Sequence, residues 1–182
     1  GEFVAPISDW ESDTLYKDLP PFCRIKAVAK PTDDSHINIE VWLPTEGWNG
    51  RYYQVGLGGP SGSIYYTRLA ESLKDGNATA TSDDGHVYSK ERPFDWAISH
   101  PMKVIDWGYR AVAETTKVAV ALIERFYGKA AHHRYFTGCS NGGRHALMAA
   151  QRTPENWDGI LIGAPANYLA HRYVSQLSRG KN

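Results

Sequence analysis

Hydrophobic and polar residues alternate through residues 37–43, with Ile37, Ile39, Val41 and Leu43 set against Asn38, Glu40 and Trp42. A two-residue period sends the two sets to opposite faces, so the segment is predicted to be a strand, stopped by Pro44. Glu46-Gly47-Trp48-Asn49-Gly50 reads as a tight turn and residues 51–55, with Tyr52 and Tyr53, as a second strand. Gly56, Gly58, Gly59 and Gly62 then make a loop. Residues 65–74 read as a helix closed by Asp75-Gly76, and residues 77–82 as a short Thr/Ala strand leading into a loop over 82–86. Farther on, Val104, Trp107, Val112, Val118, Leu122 and Phe126 recur at mixed spacings of three to six. They predict one helix over residues 103–126, with Gly128 as its stop. Residues 134–137, 141–152 and 159–162 follow as a strand, a helix and a fully apolar strand.

Strands alternating with helices imply an α/β fold: a mostly parallel sheet with helices on both faces and a ligand crevice at the carboxyl ends of the strands. The loops after Val55, Ser82, Thr137 and Ile162 are therefore expected to share one rim.

With 182 residues, 42% of them hydrophobic, the chain can bury one sizeable core. Lys+Arg and Asp+Glu balance at 20 each without a long run of one sign, which argues against nucleic-acid and membrane partners and for a small molecule. No apolar stretch approaches the roughly 18 to 20 residues that span a bilayer, and the first residues lack the zones of a signal peptide. The opening Gly1-Glu2-Phe3 has the look of a cloning scar standing in place of a secretion signal. Cys23 and Cys139 lie 116 residues apart with no zinc-ligand spacing, so no metal site is expected within this chain. The sequon Asn77-Ala78-Thr79, with six Trp and eleven Tyr, leans toward an extracellular protein with Asn77 as glycan acceptor.

The chemistry is concentrated where residues 134–137 run into Gly138-Cys139-Ser140-Asn141-Gly142-Gly143 and then into the helix of Arg144, His145 and Ala146. Gly-x-Ser-x-Gly alone occurs by chance in about one of fifteen chains this long. Its context is what carries information. A hydrolytic serine must stand above the sheet edge on a turn whose flanks are too tight for side chains, hence Gly138 and Gly142. The helix start offers free N–H groups where a tetrahedral oxyanion would form, the Asn141 N–H first among them. A second donor normally comes from the loop after an earlier strand, which makes Gly58 or Gly59 the candidate. The alternative is a glycine-rich turn with a capping serine.

With these residues in view, the chain resembles the tannase and feruloyl esterase family across residues 22–167. The resemblance rests on Pro21-Phe22-Cys23-Arg24, Val41-Trp42-Leu43-Pro44, Trp48-Asn49-Gly50-Arg51, Gln54-Val55-Gly56 and Ser82-Asp83-Asp84-Gly85-His86. It continues in Asp106-Trp107-Gly108-Tyr109-Arg110-Ala111-Val112, Phe126-Tyr127-Gly128, Gly138-Cys139-Ser140 and Asp158-Gly159-Ile160-Leu161-Ile162-Gly163-Ala164-Pro165-Ala166. It implies the N-terminal half of an α/β-hydrolase: an extracellular serine esterase acting on aromatic carboxylic esters such as galloyl, feruloyl and other hydroxycinnamoyl esters or mono(hydroxyethyl) terephthalate. Residues 1–21 would then be an N-terminal extension, 22–167 the first part of the catalytic domain and 168–182 the start of a lid. The resemblance also implies that Ser140 is the nucleophile and that Cys139 is bridged to a cysteine beside the catalytic histidine. Neither that partner nor the usual partner for Cys23 is in this chain; a Cys23–Cys139 bond is the alternative.

In this fold the acid and the base follow the serine in the chain, on loops after later strands. The 42 residues after Ser140 include Glu155, Asp158 and His171. Asp158 precedes a strand and so falls on the edge away from the rim, as a turn residue. His171 lies where the lid begins. His145, five residues along the helix, is turned about 140° from Ser140 and points away. His86 sits at the predicted rim, either touching substrate or stabilising its loop. The resemblance places the Asp and His, together with a lid that often binds calcium, in a C-terminal remainder of the same protein. Two further readings stay open: a catalytically incomplete binding module that keeps the aromatic-ester cleft, and a small esterase using His86 or His171 as base.

Overall fold

The computed structural model describes residues 17–92, 94–169, 171 and 175. The extension and the lid start therefore lie mostly outside the described residues, the Gly1-Glu2-Phe3 opening entirely so. Six strands form one sheet in the order β1-β2-β4-β3-β5-β6: β1 (Phe22–Ala29), β2 (Ile37–Pro44), β3 (Arg51–Val55), β4 (Ala78–Ser82), β5 (His133–Cys139) and β6 (Gly159–Gly163). The last four run parallel, while β1 and β2 are antiparallel to their neighbours. Strand β1 was not predicted, although Cys23, Ile25, Ala27 and Ala29 alternate with Arg24, Lys26 and Val28 and turn their apolar set to the core.

Helix α1 (Tyr66–Lys74) covers one face of the sheet, setting Leu69, Ala70 and Leu73 against Trp42 and Val55. On the other face Ala111, Ala119 and Ile123 of α3 (Ala111–Tyr127) pack on Ile39, Val41, Tyr52 and Ala80. Beside them α4 (Asn141–Arg152) brings Ala146 and Ala149 against Phe136. Small residues on α4 let the helix lie close to the strands.

One expectation changes. The single helix over 103–126 is α2 (Pro101–Ile105), a π turn at Asp106–Arg110, and α3. The extra residue in that turn shifts the helical phase, which is why no single period fitted the apolar positions. Gly128 does end the helix, with φ 68° and its N–H on the Glu124 carbonyl. Strand β2 is buried on both faces. Glu40 meets Arg24 through Nε–Oε2 and Nη2–Oε1 contacts of 2.8 and 2.5 Å and takes a bond from Trp42 Nε1 at 3.0 Å, so its charge is partnered. Among the described residues the apolar strand β6 forms an edge of the sheet, leaving Leu161 69% exposed.

Candidate active site

Strand β5 delivers the chain to Ser140, which takes φ 59° and ψ −118° before α4 begins. L side chains rarely adopt a positive φ, so this conformation stores strain that the surroundings must hold. They hold it on three sides. The Ser140 N–H donates to the Gly163 carbonyl at 3.1 Å, and its carbonyl accepts from Arg144 at 3.1 Å and Ala166 at 2.9 Å. A Cβ on Gly142 would lie 2.6 Å from the Gly56 carbonyl oxygen, and one on Gly138 would overlap the Gly142 backbone. These glycines permit the close crossing of β5, α4 and the loop after β3, and the serine side chain is left exposed.

The loop after β3 is tied to the same crossing. Gly56 N–H donates to Thr137 O at 2.8 Å, Thr81 Oγ1 to Val55 O at 2.8 Å, and Gly62 N–H to Asp83 O at 3.1 Å. Gly58 lines a groove of about 550 Å³ together with Val55, Tyr65, Ser140 and Leu161. Gly59, at φ 60°, serves the turn and is not among the groove's lining residues. The loops after β3, β5 and β6 thus meet on one rim, whereas the loop after Ser82, expected there as well, lines no part of the groove and is tied to the loop after β3 by the Gly62 N–H.

The histidines and carboxylates fall elsewhere. His86 is buried, with Nε2 3.1 Å from the Pro60 carbonyl and its ring stacked 4.0 Å from that of Trp96; burial also lowers its pKa. It braces the loop and does not face the groove. His145 is buried too, pushed down to about 3 by burial and then by the Arg144 charge, and so is neutral at ordinary pH. Its 3.3 Å approach to Asp84 is accordingly no ion pair. Asp158 accepts the Arg134 N–H at 2.7 Å at the start of β6, the edge opposite Ser140, and Glu155 is exposed in a short 3-10 turn. His171 is exposed, its ring 6.4 Å from that of Tyr168. Among the described residues no histidine nitrogen bonds Ser140.

Both cysteines are free thiols. Cys23 on β1 and Cys139 on β5 are separated by β2, β4 and β3, four strand spacings or about 19 Å, so they cannot bond to each other. Asn77 corrects another expectation. It is 4% exposed, its Nδ2 donates to Ser72 O at 3.0 Å and its Oδ1 accepts from Asn49 at 2.8 Å. The amide nitrogen that would carry a glycan faces the interior, which this fold does not permit. Among the described residues no cluster of three His, Cys, Asp or Glu side chains gathers as a metal cage. No described helix is long and apolar enough to cross a membrane.

Residues to which the sequence assigned no role surround the elbow: Ser61, Asp84 and Arg144 are buried beside Asn141. Asp84 is pushed up to about 6, chiefly by burial, against hydrogen bonds from Ser61 and Ser82 and the charge of Arg144. The one available signal was an arginine placed one turn after the nucleophile on a helix whose neighbouring residues are small.

Comparison with known proteins gives a consistent picture. The profile of the family described as "Tannase and feruloyl esterase" matches residues 23–181. An uncharacterized esterase of Xanthomonas campestris pv. campestris is 44% identical over 177 residues, covering 97% of this chain and 30% of that protein. A protein of Aspergillus clavatus named "Probable feruloyl esterase B" is 38% identical over 162 residues, 89% of this chain and 30% of its own. The crystal structure of feruloyl esterase B from Aspergillus oryzae superposes with a TM-score of 0.74 at 33% identity, over 80% of this chain and 28% of that one. The chain thus spans about 30% of the length of the curated relatives it matches.

Proposed function

The chain belongs to the tannase and feruloyl esterase family, and from that membership we propose that it carries the nucleophile of a carboxylic ester hydrolase. Ser140 attacks the ester carbonyl and forms an acyl-enzyme. The backbone N–H groups of Asn141 and Gly58 hold the oxyanion, and Gly58 takes precedence over Gly59 because it lines the groove with Ser140. The observation that carries this reading is the backbone of Ser140, a non-glycine residue held at φ 59° with its side chain exposed at the head of α4. Strain of that kind persists where the surroundings over-determine it, and it clusters at active sites.

The finer parts rest on the relatives. Their names support an aromatic acyl ester, feruloyl or a related hydroxycinnamoyl or galloyl group. The base and acid belong to the C-terminal remainder of the protein, which also supplies the partner for Cys139, the rest of the lid and any structural calcium. Export from the cell fits the same relatives. The exposure of the Cys139 thiol, adjacent to Ser140, supports such a bridge.

A fluorophosphonate probe tests the assignment on the full-length protein. Labelling maps to Ser140, is abolished in Ser140→Ala and survives in both His86→Ala and His171→Ala. Loss of labelling in folded His86→Ala or His171→Ala would return the base to this chain and overturn its assignment to the remainder.

A further inference from the structure

Behind the rim, a run of buried polar side chains that the reaction as described does not itself use connects α4, the loop after β3 and the π turn. Arg144 Nε donates to Asn141 Oδ1 at 2.7 Å. Its terminal nitrogens donate to Gly108 O at 2.7 Å and Trp107 O at 2.9 Å, and its guanidinium carbon lies 4.1 Å from the Trp107 ring centroid. Both carbonyls belong to the π turn, which interrupts the ordinary i→i+4 ladder and here presents them to Arg144. Asn141 Nδ2 donates to Ser61 Oγ at 2.7 Å. Ser61 stands at φ 66°, with its N–H on the Gly58 carbonyl at 3.4 Å.

We propose that Arg144, Asn141 and Ser61 are positioning residues that form a brace, setting the spacing between the Asn141 and Gly58 N–H groups that make the oxyanion hole. The inference rests on the reading of Ser140 as an ester-hydrolysing nucleophile.

The physical need is plain. The two donors sit on segments more than eighty residues apart, and each must come within about 2.7–3.1 Å of one oxygen atom. One donor is anchored by a helix; the other rides on a loop rich in glycine, whose backbone has little stiffness of its own. Contact between Gly142 and Gly56 fixes the near end of that loop. The Asn141–Ser61 bond fixes it beyond Gly58, and the Arg144 Nε bond to Asn141 Oδ1 holds the Asn141 side chain in place. Asn141, Ser61 and Arg144 are each more than nine-tenths buried, so water does not compete for these bonds.

The test uses the full-length protein with p-nitrophenyl butyrate and its thiono analogue, in which C=S accepts hydrogen bonds poorly. Ser61→Ala and Asn141→Ala each lower kcat on the ester about ten- to a hundred-fold with KM within about two-fold, as loss of oxyanion stabilisation predicts. The thionoester rate falls much less, so the ester-to-thionoester ratio drops about ten-fold, and the double variant is no worse than the worse single one. A general loss of folded enzyme lowers both rates equally and leaves the ratio unchanged. An unchanged ratio in folded Ser61→Ala and Asn141→Ala overturns the brace. Ser140→Ala separates the two ideas: if it keeps turnover, the nucleophile reading itself fails, whereas an inactive Ser140→Ala with an unchanged ratio in the other variants sinks only the brace.

Discussion

At Asp84 a carboxyl is buried between Ser61, Ser82 and the neutral His145, with Arg144 as the nearest balancing charge. Its pKa near 6 lies above the unfolded value, so the native state holds the proton more tightly than the unfolded chain does. The stability this contributes is complete below about pH 4 and is lost as pH rises through 6, a change of order 2–3 kcal/mol. His145 runs the other way. Its native pKa near 3 lies below the unfolded value, so its contribution is present above about pH 6.5 and is lost as pH falls. The two slopes oppose each other between pH 4 and 6. Urea unfolding across that range is therefore expected to be flatter for the native protein than for Asp84→Asn, which keeps only the His145 slope and gains relative stability as pH rises. Parallel curves for the two would remove the buried-proton account.

Among the elements, β1 and β2 depend on one another in a way that neither pattern displays alone. Glu40 lies under α1 because Trp42 and α1 close that face, and Arg24 from β1 supplies its counter-charge. Arg24→Ala leaves the carboxylate with the Trp42 and Tyr66 hydrogen bonds and no cation, and is expected to cost about 2–4 kcal/mol. Thermal or urea unfolding measures it. Arg24→Met combined with Glu40→Leu should recover much of the loss, since replacing both charges removes the desolvation problem. The π turn is the second element-scale device. It shifts the phase between α2 and α3 and places the Trp107 and Gly108 carbonyls opposite Arg144, so an irregularity that defeated a periodic reading is also what anchors the elbow helix.

On the scale of the whole molecule, the sheet is covered unevenly. Helices α3 and α4 pack on one face, whereas α1 covers only part of the other and leaves the groove over β5 and β6. With Leu161 and Ile162 exposed on a strand that is an edge among the described residues, this chain expressed alone is expected to present strand backbone beside apolar side chains. Concentration-dependent self-association by light scattering is the expected result, reduced by Leu161→Lys. A monodisperse monomer at high concentration would contradict it.

Local chemistry carried much of this protein in its sequence. Alternation placed β2, glycine and aromatic punctuation placed β3 and α1, and the run from residue 134 to 152 located the turn at Ser140, because the strain, the glycines and the helix start are all set by neighbours in the chain. Family membership was legible for the same reason, through short blocks that keep their residues together. Burial was not. Asn77 looked like a glycan site and His86 like a rim residue, and each is enclosed by elements distant in sequence. Nor could spacing reveal that Arg144, Asn141, Ser61 and Asp84 form one connected group. Which polar side chains meet depends on how helix, loop and sheet stack, and only the tertiary structure decides that.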